Sequence, residues 1–85
     1  MQDRTIKIYS TPACHFCHEA KGYFAEKGVS FEEINVVGNL EKISELRKIS
    51  GGSSVPVIVI GDYVLVGWNK DKFDAAYEEI FSGVT

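Results

Sequence analysis

The stretch that decides the reading runs from Thr5 to Gly28, "TIKIYSTPACHFCHEAKGYFAEKG". Its opening, "TIKIYS", alternates Ile6 and Ile8 with polar neighbours, the pattern of a half-buried strand. Thr11-Pro12 breaks the pattern, and Pro12 stands just ahead of the next helix, where a missing N–H does least harm. From about Cys14 to Lys27, Cys17, Ala20 and Phe24 recur at helical spacing, and Gly28 supplies a stop. A strand thus feeds a helix whose first turn carries "CHFCH", Cys14 to His18.

That pentapeptide can be read as a haem-attachment pattern, as a metal-ligand cluster or as a dithiol that cycles with a disulfide. Haem attachment would need export and a second axial ligand such as methionine, yet the N-terminus has no apolar stretch of signal-peptide length and the only methionine is Met1. Two cysteines and two histidines packed so closely do not close one tetrahedron, and no distant cysteine completes a set. With 85 residues and a formal charge of -3, the chain is expected to be one domain, residues 1–85, with one core and no polyanion-binding surface. The longest strongly apolar run, "VPVIVI", is far too short to span a bilayer, so a soluble cytoplasmic protein is expected. In a reducing compartment two cysteines so close together would stabilise little as a disulfide. Reactivity is the better reason for the pair.

Outward from this centre, "SFEEINV" reads as a second strand with Phe31 and Ile34 as its buried positions. Leu40, Ile43, Leu46 and Ile49 then repeat along a helix from an Asn39 N-cap to Gly51. "VPVIVI", "GD" and "YVLV" are two β-branched runs joined by a tight Gly-x turn, a hairpin. Last, Asn69 caps a helix that presents Phe73, Ala76, Tyr77 and Ile80 to the core. The order is β-α-β-α-β-β-α, an α/β fold. A right-handed crossover makes strands one and two parallel, the hairpin extends the same mixed sheet, and helices cover both faces.

The strand before "TPACHFC", the "SSVPVIVIGD" after the second helix and a Gly-Trp-Asn-led last helix together resemble the thioredoxin fold in its short glutaredoxin form. The resemblance covers nearly the whole chain and implies a four-stranded sheet and a thiol–disulfide oxidoreductase. Free N–H groups and the positive dipole end at a helix start favour a thiolate, which makes Cys14 the nucleophile. Cys17, on the same face and further into the turn, is expected to be more buried and more fully protonated, and so to be the resolver. Cys14 would attack a substrate disulfide and Cys17 would displace the reduced substrate. His15 and His18 are expected on the exposed side, with His15 as a tuner of Cys14.

The resemblance also implies a substrate groove. Its proline matches Pro56, which would be cis beside the dithiol, with the Val55 backbone offered to substrate in strand-like pairing. Thr11 and Pro12 would flank the groove, Thr11 standing where the family commonly has a lysine. Glutathione-using members typically carry Gly-Gly-x-Ser/Thr-Asp before the last helix. This chain has Gly67, Trp68, Asn69 and Lys70, with Asp71 one residue late, so a lysine replaces the carboxylate expected to hold glutathione. Arg47 or Lys48 could still meet a glycyl carboxylate. Trp68, Asn69 and Lys70 are therefore counted with the substrate residues, glutathione as a co-substrate, and no cofactor or metal as resident. An aromatic after this glycine also resembles the glutaredoxin-like hydrogen donors of ribonucleotide reductase, which take electrons from thioredoxin reductase, although their usual Arg-Pro pair is absent. An iron–sulfur carrier bridging two chains through Cys14 is a third reading; otherwise a monomer is expected.

Overall fold

In the computed structural model, residues 6–52 and 54–81 are described. The elements are β1 (Ile6–Ser10), α1 (His15–Lys27), β2 (Glu32–Asn35), α2 (Leu40–Ser50), β3 (Val57–Ile60), β4 (Tyr63–Val66) and α3 (Lys70–Phe81). Every element expected from the sequence forms, in the expected order; Thr5, expected in the first strand, lies outside the described residues. The sheet has four strands in the order β2-β1-β3-β4, with β1 parallel to β2 and antiparallel to β3, and β3 antiparallel to β4.

Alternation along β1 divides the core in two. Ile6 and Ile8 point to one face, where with Ile58 and Ile60 they meet Ala20 and Phe24 of α1 and Phe73, Ala76 and Ile80 of α3. Tyr9 points to the other face, where it packs with Ile34, Val57 and Leu46 of α2. Helices therefore cover both faces, and each buries its stripe: Cys17, Ala20 and Phe24 on α1, Leu46 on α2, Phe73, Ala76 and Ile80 on α3.

The helix ends follow their capping residues. Asn39 and Asn69 each accept a backbone N–H at 3.1 Å, from Lys42 and Lys72, satisfying an otherwise orphaned donor of the first turn. Gly28 ends α1 in the left-handed region, at φ 75°, and its N–H donates to Ala25 and Phe24 carbonyls. The β3–β4 turn is closed by Gly61-Asp62 between the paired Ile60 and Tyr63, with Gly61 supplying the positive φ of 58°.

Candidate active site

Strand register gathers the site at the C-terminal end of β1. Ser10 pairs with Asn35, Tyr9 pairs with Val57, and Val57 pairs with Val66. The segments that continue those strands, Thr11–Cys14, Val55-Pro56 and Gly67–Asn69, therefore lie at one end of the sheet. Two backbone bonds fix the junctions: Val36 donates to the Ser10 carbonyl at 3.1 Å and Gly67 to the Pro56 carbonyl at 2.8 Å. The Val55-Pro56 bond is cis and Pro56 is fully buried, while Val55 is half-buried.

From β1 the chain turns through Thr11–Cys14, closed by Cys14 N–H to the Thr11 carbonyl at 3.2 Å, and α1 begins at His15. Cys14 is the N-cap. Its sulfur accepts the backbone N–H of Cys17 at 3.1 Å, so a first-turn donor points at the group expected to carry negative charge. Both cysteines are free thiols, Cys14 half-exposed and Cys17 at 0% exposure. Burial and the hydrogen bond to Cys14 push the Cys17 thiol up to about 12, against a smaller opposing pull from the Thr11 backbone and the Lys21 charge. One thiol is presented to solvent and the other is held protonated behind it.

The remaining sequence candidates divide between this end of the sheet and its supports. Thr11 and Pro12 form the turn that leads into the N-cap. His15 is exposed, as expected, with its imidazole 2.8 Å from the Glu19 carboxylate one turn on and edge-to-face on Phe16. Trp68 is half-buried against Tyr23, Phe24 and Phe73, with ring centroids 5.5 to 5.9 Å apart. The Asn69 side chain is occupied as the α3 cap. Lys70 reaches along α3 to Asp74 at 3.1 Å and lies 5.2 Å over the Tyr23 ring. Its hydrogen bond to Asp74 raises its proton affinity. Arg47 and Lys48 are exposed in the last turn of α2.

The exposure of His18 was expected; its contact with the Pro12 carbonyl, and the contacts of Glu33 and Asp74, were not anticipated from the sequence. His18 is exposed and its Nε2 lies 2.9 Å from the Pro12 carbonyl; a carbonyl only accepts, so this nitrogen carries a proton and ties α1 to the turn before Cys14. Glu33 accepts from Ser10 Oγ at 2.9 Å and Lys21 Nζ at 2.6 Å, and these bonds hold its carboxyl below the usual range. Asp74 accepts from both Tyr23 and Lys70, joining α1 to α3. All these pairs but one cross between segments, so no spacing rule reveals them; Lys70–Asp74, at i,i+4, is the one that spacing could have found. Phe16, Val37 and Leu40 are large apolar side chains left exposed, Phe16 lying between the two cysteines in sequence. Among the described residues no group of His, Cys, Asp and Glu side chains is arranged to hold a metal ion, and no helix is long and apolar enough to cross a membrane.

The glutaredoxin family model matches residues 6–65. A glutaredoxin-like 8.6 kDa protein of the rubredoxin operon of Clostridium pasteurianum is 40% identical over 74 residues, 87% of this chain and 99% of that one. Glutaredoxin 3 of Escherichia coli K12 is 44% identical over 55 residues, 65% of this chain and 66% of its own length. Among solved structures, the glutaredoxin-like NrdH-redoxin of Escherichia coli superposes with a TM-score of 0.76 at 32% identity, covering 84% of this chain and 92% of that one.

Proposed function

The chain belongs to the glutaredoxin family of thiol–disulfide oxidoreductases, and from that premise we propose that it reduces protein disulfides by a dithiol cycle through Cys14 and Cys17. The observation that carries this reading is the asymmetry of the pair: a half-exposed Cys14 sulfur receiving a helix-start N–H at 3.1 Å, and a Cys17 sulfur with no exposure. Cys14 attacks one sulfur of the substrate disulfide, whose bond breaks with its electron pair leaving on the other sulfur, which takes a proton from water. Cys17 then loses its proton to water and attacks the Cys14 sulfur. The substrate's second thiolate leaves, and two electrons have passed from the protein, now a Cys14–Cys17 disulfide, to the substrate.

Thr11, Pro12, Val55, Pro56, Trp68 and Asn69 belong to the segments that border the dithiol end of the sheet, and the Val55 backbone is the proposed edge for strand-like pairing with substrate. Low-molecular-weight mixed disulfides of glutathione are a second substrate class, with glutathione as co-substrate. Two observations favour the protein-disulfide route. Lys70, where glutathione-using members carry an acidic anchor, is turned onto Asp74 and Tyr23. The NrdH-redoxin to which this chain is similar is described as having a thioredoxin-like activity profile. A dedicated carrier to a reductase, itself reduced by thioredoxin reductase, uses the same chemistry.

The test is steady-state reduction of a protein disulfide and of a glutathione mixed disulfide, with glutathione plus its reductase and with NADPH plus thioredoxin reductase. Cys17→Ser is expected to abolish protein-disulfide reduction with either donor. Full retention of activity on both substrates would make the protein a monothiol-mechanism enzyme and overturn the reading.

A further inference from the structure

Ile8 points to the face covered by α1 and α3, and the same alternation puts Ser10 there too. Glu33 pairs with Ile8 across the parallel β1–β2 ladder, so its side chain emerges on that face toward α1. It meets Lys21, one helical turn beyond Cys17 on the same side of α1, at 2.6 Å. The same carboxylate oxygen accepts from Ser10 Oγ at 2.9 Å, and Ser10 is 1% exposed. Lys21 is itself only 23% exposed. This is a half-buried cation anchored to the sheet by a partly exposed carboxylate, one helical turn from a wholly buried thiol.

The geometry points to Lys21 as a positioning residue of the resolving step: its ammonium, braced by Glu33 and Ser10, favours the thiolate that the buried Cys17 must become to attack the mixed disulfide. This rests on the dithiol reading above. Burial opposes the Cys17 thiolate most strongly, and the neighbouring Cys14 sulfur opposes it in the free enzyme. Once Cys14 is tied into a mixed disulfide it no longer carries charge, and the Thr11 backbone and the Lys21 ammonium are left to offset burial. The titratable and charged groups around the step among the described residues are Cys14 at the N-cap, His18 and Lys21 from α1 and Glu33 from β2; β1 contributes the Ser10 hydroxyl. Glu33 is held ionised by its two donors, so it acts as an anchor for Lys21 rather than as the proton acceptor. The Cys17 proton goes to water, the Cys17–Cys14 bond forms, and the Cys14–substrate bond breaks with its electron pair on the departing sulfur.

The experiment is a stopped-flow reaction of the reduced protein with dithiobis-nitrobenzoate, which releases one coloured thiolate when Cys14 attacks and a second when Cys17 resolves. Lys21→Met is expected to leave the first phase unchanged and to slow the second several-fold, with its pH profile displaced upward. Lys21→Arg is expected to restore the second phase. Glu33→Gln removes the opposing charge but keeps a side-chain oxygen that can accept from Lys21, so its second phase is expected to be no slower than that of the unmodified protein. An unchanged second phase in Lys21→Met, or equal slowing by Lys21→Met and Glu33→Gln, overturns the inference while leaving the dithiol cycle intact. Absence of a second phase in the unmodified protein overturns the dithiol reading itself.

Discussion

Cys14 and Cys17 are the same chemical group one helical turn apart, and their positions at the cap and in the first turn of α1 leave one half-exposed and the other buried. Alkylation of the reduced protein with iodoacetamide at mildly acidic pH, followed by peptide mapping, is expected to label Cys14 well before Cys17, since the Cys17 thiol is buried and pushed up to about 12. Preferential labelling of Cys17 would reverse the two roles. The difference in burial between the two thiols was legible in the sequence because both residues answer to local facts, a helix start and the spacing after it. Lys70 was legible only as a departure from a pattern. What engages it includes Tyr23, which arrives from α1, and pairing across elements leaves no mark on spacing. Read from sequence, Lys70→Asp should restore an acidic anchor for glutathione. In the structure it also sets a carboxylate beside Asp74 and removes a cation from Tyr23. Lys70→Asp is therefore expected to lower the melting temperature whatever it does to glutathione affinity, and an unchanged melting curve would show that the Asp74 contact contributes nothing.

α1 is held at its start by a functional cap and at its end by a conformational one. Gly28 takes φ 75°, and nothing lies within 4 Å of where a Cβ would sit, so substitution there costs backbone conformation and not packing. Gly28→Ala is expected to destabilise the protein by about 1 kcal/mol, measured by urea denaturation, with redox activity preserved. A neutral result would mean that the helix end relaxes freely. Such stops were readable in advance, as were the Asn39 and Asn69 caps, because capping is chemistry between near neighbours. The burial pattern of α2 was less so. Leu40 continues the spacing of Ile43, Leu46 and Ile49 yet is 83% exposed, while Leu46 is fully buried. Periodicity gives the face of a helix; at the first turn of α2 that face meets solvent.

Over the whole molecule, the two-faced core sets how stability responds to pH. Tyr9 is pushed from the usual 10.0 to about 12 by burial and by Glu45, and Cys17 from 9.0 to about 12 by burial and Cys14. Each group binds its proton more tightly folded than unfolded. Their contribution is complete below the unfolded values of 9.0 and 10.0 and is lost as pH rises toward about 12. The melting temperature of the reduced protein is therefore expected to fall across that alkaline window, and less steeply in Cys17→Ala, which has one fewer group to titrate. Parallel slopes would contradict the role of Cys17. The overall fold was readable because strand alternation, caps and a Gly-led hairpin are local signals that agree with one another. The Ser10–Glu33–Lys21 brace was not, since it exists only once β1, β2 and α1 are assembled. That Cys14 attacks and Cys17 resolves is tested most directly by intact-mass measurement of Cys17→Ser mixed with a disulfide-bonded protein. A one-to-one adduct, mapped to Cys14 and released by dithiothreitol, is the expected result; no adduct, or one that forms equally in Cys14→Ser, would contradict it.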